Sequence, residues 1–144
     1  MKGNHKQRLL AVLPFLCTGI VLGVAVSLKP DPSGMGTHHQ LGLNPCGFLT
    51  EIGFPCPMCG MTTSFAHYVQ FQFIEGFFNQ PFSSILFGLT IFVFSISFFE
   101  IIQPRDRIGQ LVEAVQKYQR SLGWMLLIFM FVGWGYKIYF FSQS

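Results

Sequence analysis

Long stretches without charged side chains constrain this 144-residue chain more than any other feature. Residues 9–28 and 81–99 carry no charge, and residues 122–141 carry only Lys137. A helix of about 20 apolar residues crosses the hydrocarbon core of a bilayer. In the whole chain 51% of residues are hydrophobic and 10% are charged, a composition unlike that of soluble domains. The pattern predicts an all-α membrane protein, a single domain over 1–144 with three transmembrane helices in contact with lipid.

The first apolar stretch permits two interpretations. Basic residues precede it, and Ala25-Val26-Ser27 offers small residues of the kind a signal peptidase recognises. The apolar stretch over 9–28 is longer than the 7–15 residues usual in a cleaved signal peptide, however. A retained transmembrane helix is therefore favoured, with a cleaved signal peptide as the alternative.

Two further helices are predicted outside the spans. Apolar residues between 61 and 78 recur at helical spacing and include several aromatic rings, which is typical of a helix at the membrane interface. The segment 100–121 is amphipathic and predicts a helix on the cytoplasmic membrane surface.

The distribution of basic residues predicts the orientation of the chain. Lys29 is the only lysine or arginine in residues 29–80, and the remaining bases cluster before the first span and between the second and third, apart from Lys137. The positive-inside rule then places the N-terminus in the cytoplasm and the 29–80 loop outside the cytoplasmic (inner) membrane of a bacterium. The net charge of +3 is small, and the distribution of the basic residues is explained by the orientation of the chain in the membrane. Nucleic acid is therefore not an expected partner.

The outer loop contains the residues most suited to chemistry. Cys56 and Cys59 form a C-P-M-C-G turn, and Cys46 lies ten residues before Cys56. Two intervening residues allow both sulfurs to reach one metal ion or to form one disulfide. Pro57 fits the first position of a helix, whereas Gly60 favours a helix that begins only at Met61.

Three functions of the loop remain open from the residues. The first is a structural loop, an interaction or scaffold module organised by the cysteines, in which one disulfide joins Cys46 to Cys56 or Cys59 and leaves an odd thiol. The second is a metal site, with His38, Cys46, Cys56 and Cys59 completing a Cys3His set for zinc. In that set His39 or His67 can replace His38, and nearby methionines hint at copper(I).

The third function is thiol–disulfide exchange by Cys56 and Cys59 as a membrane oxidoreductase. C-P-x-C resembles a glutaredoxin-type active site, but no thioredoxin-like βαβ pattern surrounds it. No hydrolase or nucleotide-binding motif occurs in the chain, so whether the protein is an enzyme stays open. Self-association or a protein partner also stays open.

Two other side chains have ordinary explanations. Lys137 lies near the end of the third span, where a lysine is expected to extend to the lipid headgroups. His67 follows Cys59 by eight residues and would share a helix face with it, but an interfacial histidine without a catalytic role is the expected interpretation.

The cysteine region resembles a known family. The shared residues run from Gly36-Thr37-His38 through Leu41-Gly42-Leu43, Cys46 and Gly53 to Pro55–Thr62. They are similar to a family of small bacterial integral membrane proteins described only as a domain of unknown function, whose hallmark is Cys-Pro-x-Cys-Gly-x-Thr. The resemblance covers about residues 30–100 and implies a membrane location but no established activity. This chain has Thr63 where many members have arginine, and Gln80 separates Asn79 from Pro81.

Overall fold

A computed structural model describes residues 2–103 and 105–142, with side chains from Arg8 onward. Residues 1, 104, 143 and 144, which the single-domain prediction over 1–144 includes, lie outside this range. Within it the regular elements are all helical: α1 Lys2–Ser27, a 3-10 helix Thr37–Leu41, α2 Gly47–Ile52, α3 Met61–Val69, α4 Phe73–Asn79, α5 Pro81–Ile102 and α6 Arg107–Phe141.

Three of these helices are long and apolar enough to cross a membrane: α1 over Arg8–Ser27, α5 and α6. The predicted all-α fold class with three such helices is confirmed. Pro81 stands in the first turn of α5, where its missing N–H is no loss, and α5 ends at Ile102, beyond the predicted boundary at 99. Many apolar side chains of the three helices are exposed, including Leu9, Ile20 and Ile128, as expected of helices whose solvent is lipid.

The predicted amphipathic helix over 100–121 is not separate from the third span. Residues 107–121 of the predicted helix and the third span belong to α6, which runs without interruption for 35 residues, whereas residues 100–102 are the end of α5. At 1.5 Å per residue its length is about 52 Å, well beyond the roughly 30 Å hydrocarbon core. The hydropathy changes near residue 121, but no proline lies within α6 to end the helix there.

The predicted helix over 61–78 is divided in two. Phe71 has a left-handed backbone with φ of 62° and separates α3 from α4. The N–H groups of Phe71 and Gln72 donate to the carbonyls of Tyr68 and His67, the paired bonds of a Schellman motif. Glycine usually occupies this left-handed position, and the phenylalanine here gave no such signal in the sequence.

The helices approach closely at two places. Phe15 of α1 stacks on Phe94 of α5 with ring centroids 4.8 Å apart. Gly133 of α6 lies against Phe82 of α5, so that a Cβ on Gly133 would be 3.3 Å from the Phe82 Cβ. This contact brings the C-terminal end of α6 to the start of α5, where the cysteine loop joins the bundle.

The opposite end of the bundle is held by Glu100. This carboxylate is 1% exposed and accepts hydrogen bonds from the backbone N–H groups of Arg105, Asp106 and Arg107 at 2.7–3.1 Å. The first N–H groups of a helix have no partner within it, and a negative charge near them is favourable. Glu100 therefore fixes the start of α6 to the end of α5.

We expect Glu100→Gln to lower the free energy of unfolding by about 1–2 kcal/mol. The carboxylate accepts three charge-assisted hydrogen bonds through its two oxygens, whereas the neutral amide has only one acceptor oxygen. Denaturant unfolding in detergent micelles measures the change. Glu113→Gln, at an exposed glutamate of α6, is the matched control. Equal stability of the two variants would contradict this role of Glu100.

Candidate metal centre

Three of the four cysteines form a cluster. The sulfur atoms of Cys46, Cys56 and Cys59 all lie within 4.8 Å of one another. Cys59 is buried, and the other two are partly exposed. All four cysteines of the chain are free thiols in the structure, and Cys17 lies in α1, outside the cluster.

Two short segments place these sulfurs. Cys46 is the residue that precedes α2, and Cys56 and Cys59 lie in the turn that precedes α3. The turn is closed by a hydrogen bond of 2.9 Å from the N–H of Cys59 to the carbonyl of Cys56. The helix then begins at Met61, as Gly60 indicated, and not at Pro57.

Side chains from elsewhere hold the backbone of this turn. The Trp134 indole N–H donates to the carbonyl of Pro55 at 2.7 Å, and the Gln80 amide donates to that of Pro57 at 2.8 Å. The Asn79 amide donates to the carbonyl of Gly60 at 2.9 Å. The carbonyls of Pro55, Pro57 and Gly60 are thus bound by α6 and by the α4–α5 junction.

Lys137 is directed to the same place. Its Nζ donates to the backbone carbonyl of Asn79 at 3.1 Å and to the Asn79 side-chain Oδ1 at 2.8 Å. The prediction that this ammonium extends to the lipid headgroups therefore does not describe the structure. Lys137 joins the end of α6 to the residue that holds Gly60.

Gly60 is required at its position by both backbone conformation and space. Its φ is 87°, and a Cβ on it would lie 2.6 Å from the carbonyl oxygen of Gly34 and 3.2 Å from the Lys137 Nζ. A side chain there would separate three segments that now touch. The glycine of the C-P-M-C-G motif thus allows the loop and α6 to meet.

A buried pair of hydroxyls connects the first part of the loop to α3. The Thr37 hydroxyl donates to the Thr63 hydroxyl at 2.8 Å and accepts from the backbone N–H of Asp31 at 2.9 Å. Both threonines are fully buried. Thr63 therefore has a neutral buried partner in this chain.

The cysteines differ in acidity. The backbone N–H of Leu49 favours the thiolate of Cys46 and, against the effect of burial, holds the pKa of Cys46 below its ordinary value. Burial raises the pKa of Cys59 to about 12. Cys59 is therefore a neutral thiol at pH 7 unless a cation binds to its sulfur.

The histidines predicted as metal ligands, His38 with His39 or His67 as alternatives, are not in the cluster. Among the described residues, the group of close ligand atoms consists of Cys46, Cys56 and Cys59 and does not include His38. The His38 ring lies beside the His39 ring, with centroids 4.4 Å apart. His67 contacts Gln72 through its Nδ1 at 2.6 Å, across the end of α3.

The sequence did not predict the role of the side chains that support the turn: Asn79, Gln80, Trp134 and Lys137. Asn79 and Gln80 immediately precede Pro81, so a polar pair at the entry to a span was an available signal. Trp134 and Lys137 gave no local signal, because their partners are 79 and 58 residues away. Their spacing of three residues places them on one face of α6.

We expect Asn79→Ala to raise the alkylation rate of Cys59 about tenfold, because losing a buried hydrogen bond costs about 1.4 kcal/mol and loosens the turn around this thiol. Mass spectrometry of timed maleimide labelling gives the rate for each cysteine. Asn44→Ala, at an exposed asparagine of the same loop, is the control. If Cys59 reacts equally in both variants, Asn79 does not support the turn.

Comparison with known proteins connects this site to a family. A family model described as "Protein of unknown function (DUF2752)" matches residues 46–94. The matched stretch contains the three clustered cysteines, Asn79, Gln80 and the first part of α5, but neither Trp134 nor Lys137. No curated protein and no solved structure matches the chain. This part of the chain is thus similar to an uncharacterised domain, which carries no assigned activity.

Proposed function

We propose that this membrane protein binds a thiophilic metal ion through Cys46, Cys56 and Cys59, with zinc as the first candidate. The observation that carries the proposal is the mutual approach of the three sulfurs within 4.8 Å. Thiolate sulfur suits zinc and copper(I) and is a poor ligand for magnesium or calcium.

The spacing of the sulfurs is close to that of a metal–thiolate complex. Zinc–sulfur bonds of about 2.3 Å at tetrahedral angles separate the sulfurs by about 3.8 Å. The observed limit of 4.8 Å therefore asks each pair to close by about 1 Å at most. Rotations of cysteine side chains supply movements of this size without a change in the helices.

In this proposal His38 does not occupy the fourth coordination position of the zinc ion, because it lies outside the sulfur cluster. Three protein ligands leave one tetrahedral position for water or for a donor from a partner. Copper(I) is the alternative ion, because it accepts a set of soft sulfur ligands without a nitrogen donor.

We place the metal loop outside the bacterial cytoplasmic membrane, with the N-terminus in the cytoplasm. The charge distribution supports this orientation. Arg105 and Arg107 stand at the α5–α6 connection, whereas the cysteine loop meets the start of α5, about 30 Å away along that helix. The basic end and the sulfur end therefore lie at opposite ends of the spans, as the positive-inside rule requires.

In this proposal the bound ion organises the loop as an interaction or scaffold module. The described loop has few regular elements, a 3-10 helix and α2 before the cysteine turn, so a metal is a means of fixing its surface. Exposed apolar side chains on that surface, among them Leu43, Phe54 and Met58, are suited to contact with a protein partner or a second copy.

A second candidate function is thiol–disulfide exchange, and the closeness of the three free thiols favours it. The Cys56 thiolate would attack a substrate disulfide and release one substrate thiolate. Cys59 would then attack the mixed disulfide, release the second substrate thiol and leave a Cys56–Cys59 disulfide. The raised pKa of Cys59, about 12, suits the resolving thiol and not the attacking one.

We expect the purified protein to retain one zinc or copper(I) ion per chain after reduction, metal loading and desalting. Cys56→Ser should lower this content to about a tenth or less, because loss of a thiolate ligand weakens binding by far more than tenfold. Plasma mass spectrometry of the desalted protein gives the metal-to-protein ratio.

Two controls separate the alternatives. Cys17→Ser removes the thiol outside the cluster and His38→Ala removes the histidine outside it, so both should keep one ion per chain. A wild-type protein that retains no ion contradicts metal binding. If that protein instead shows a labile Cys56–Cys59 disulfide on alkylation with and without reductant, thiol–disulfide exchange is the function.

A further inference from the structure

A lysine side chain that the metal proposal does not use as a ligand lies beside the cysteine turn. The Lys137 Nζ would be 3.2 Å from a Cβ on Gly60, the residue that follows Cys59. Gly60 is bonded directly to Cys59, so the Lys137 ammonium lies beside the segment that carries this sulfur. Lys137 is partly buried between α6, the α4–α5 junction and the loop.

The charge of Lys137 is held in place by neutral atoms. Both hydrogen-bond acceptors of its Nζ belong to Asn79, one from the backbone and one from the side-chain amide. Asn79 in turn donates to the carbonyl of Gly60 and to the Ser64 hydroxyl, each at 2.9 Å. Among the described residues, no carboxylate accepts a hydrogen bond from Lys137, so its positive charge lies beside the cysteine turn without a hydrogen-bonded acidic partner.

Metal binding would create that negative charge. Three thiols lose three protons to solvent as three metal–sulfur bonds form, and no electron is transferred. The complex of three thiolates then carries a charge of −1 with zinc and −2 with copper(I). A partly buried negative charge is costly unless an opposite charge lies nearby.

We propose that Lys137 is the counter-charge of this metal–thiolate complex, positioned by Asn79. The inference rests on the proposed metal site and adds a residue that selects among ions without touching them. Because Coulomb attraction is proportional to the charge, Lys137 favours copper(I), whose complex has twice the negative charge, more strongly than zinc.

The experiment compares the affinities of the full-length protein in detergent for zinc and copper(I), each measured against a competing chelator. Lys137→Gln should weaken zinc binding about tenfold and copper(I) binding about a hundredfold, because the lost attraction doubles with the charge of the complex. Lys117→Gln, an equal charge change at an exposed lysine of the same helix, should leave both affinities unchanged.

Two further variants separate charge from structure. Lys137→Arg keeps the positive charge and should keep both affinities within about threefold of the wild type. Asn79→Asp places a carboxylate beside the Lys137 ammonium and neutralises its charge, so it should also weaken copper(I) binding more than zinc binding. This variant tests the inference even if Lys137→Gln does not fold.

Each result decides the inference. Equal losses for the two ions in Lys137→Gln or Asn79→Asp make Lys137 a structural connection only and overturn the proposal, as does no loss in either variant. Wild-type protein that binds neither ion refutes the metal site itself. If the wild type binds the ions but neither variant loses more affinity for copper(I) than for zinc, only the role of Lys137 is refuted.

Discussion

The geometry of the cysteine cluster depends on side-chain hydrogen bonds to the backbone of one turn. A turn with two prolines has few backbone partners of its own, and its carbonyls need donors when they are withdrawn from water. Trp134, Gln80 and Asn79 supply these donors at Pro55, Pro57 and Gly60. The position of Cys56 and Cys59 is thus set by α6 and by the junction that leads into α5.

This arrangement joins the loop to the long apolar helices of the chain. Gly133 permits α6 to approach α5 closely at the level of Phe82, and one turn further along α6 Lys137 reaches Asn79. Glu100 fixes the other end of the same helix pair. With both ends of α5 and α6 held, the sulfur cluster rests on a scaffold whose spacing is determined outside the loop.

Features of the fold that arise from residues close together in the sequence could be predicted, whereas contacts between distant residues could not. Length and absence of charge are local properties, so the three spanning helices and the entry at Pro81 could be predicted, and the C-x-x-C spacing with Cys46 correctly indicated a group of sulfurs. The continuity of α6 and the break at Phe71 could not, because hydropathy does not mark helix ends and phenylalanine is an unusual residue in a left-handed cap. The direction of the Lys137 side chain could not be predicted either, because its partner Asn79 lies 58 residues away.

The central claim is that Cys46, Cys56 and Cys59 act as one ligand set held by the helices. X-ray absorption spectroscopy of the metal-loaded protein tests it most directly, because it counts the sulfur neighbours of the ion. The account predicts three sulfurs at about 2.3 Å from zinc, together with one light atom. A spectrum with one sulfur or none, or with mainly nitrogen and oxygen neighbours, would contradict it.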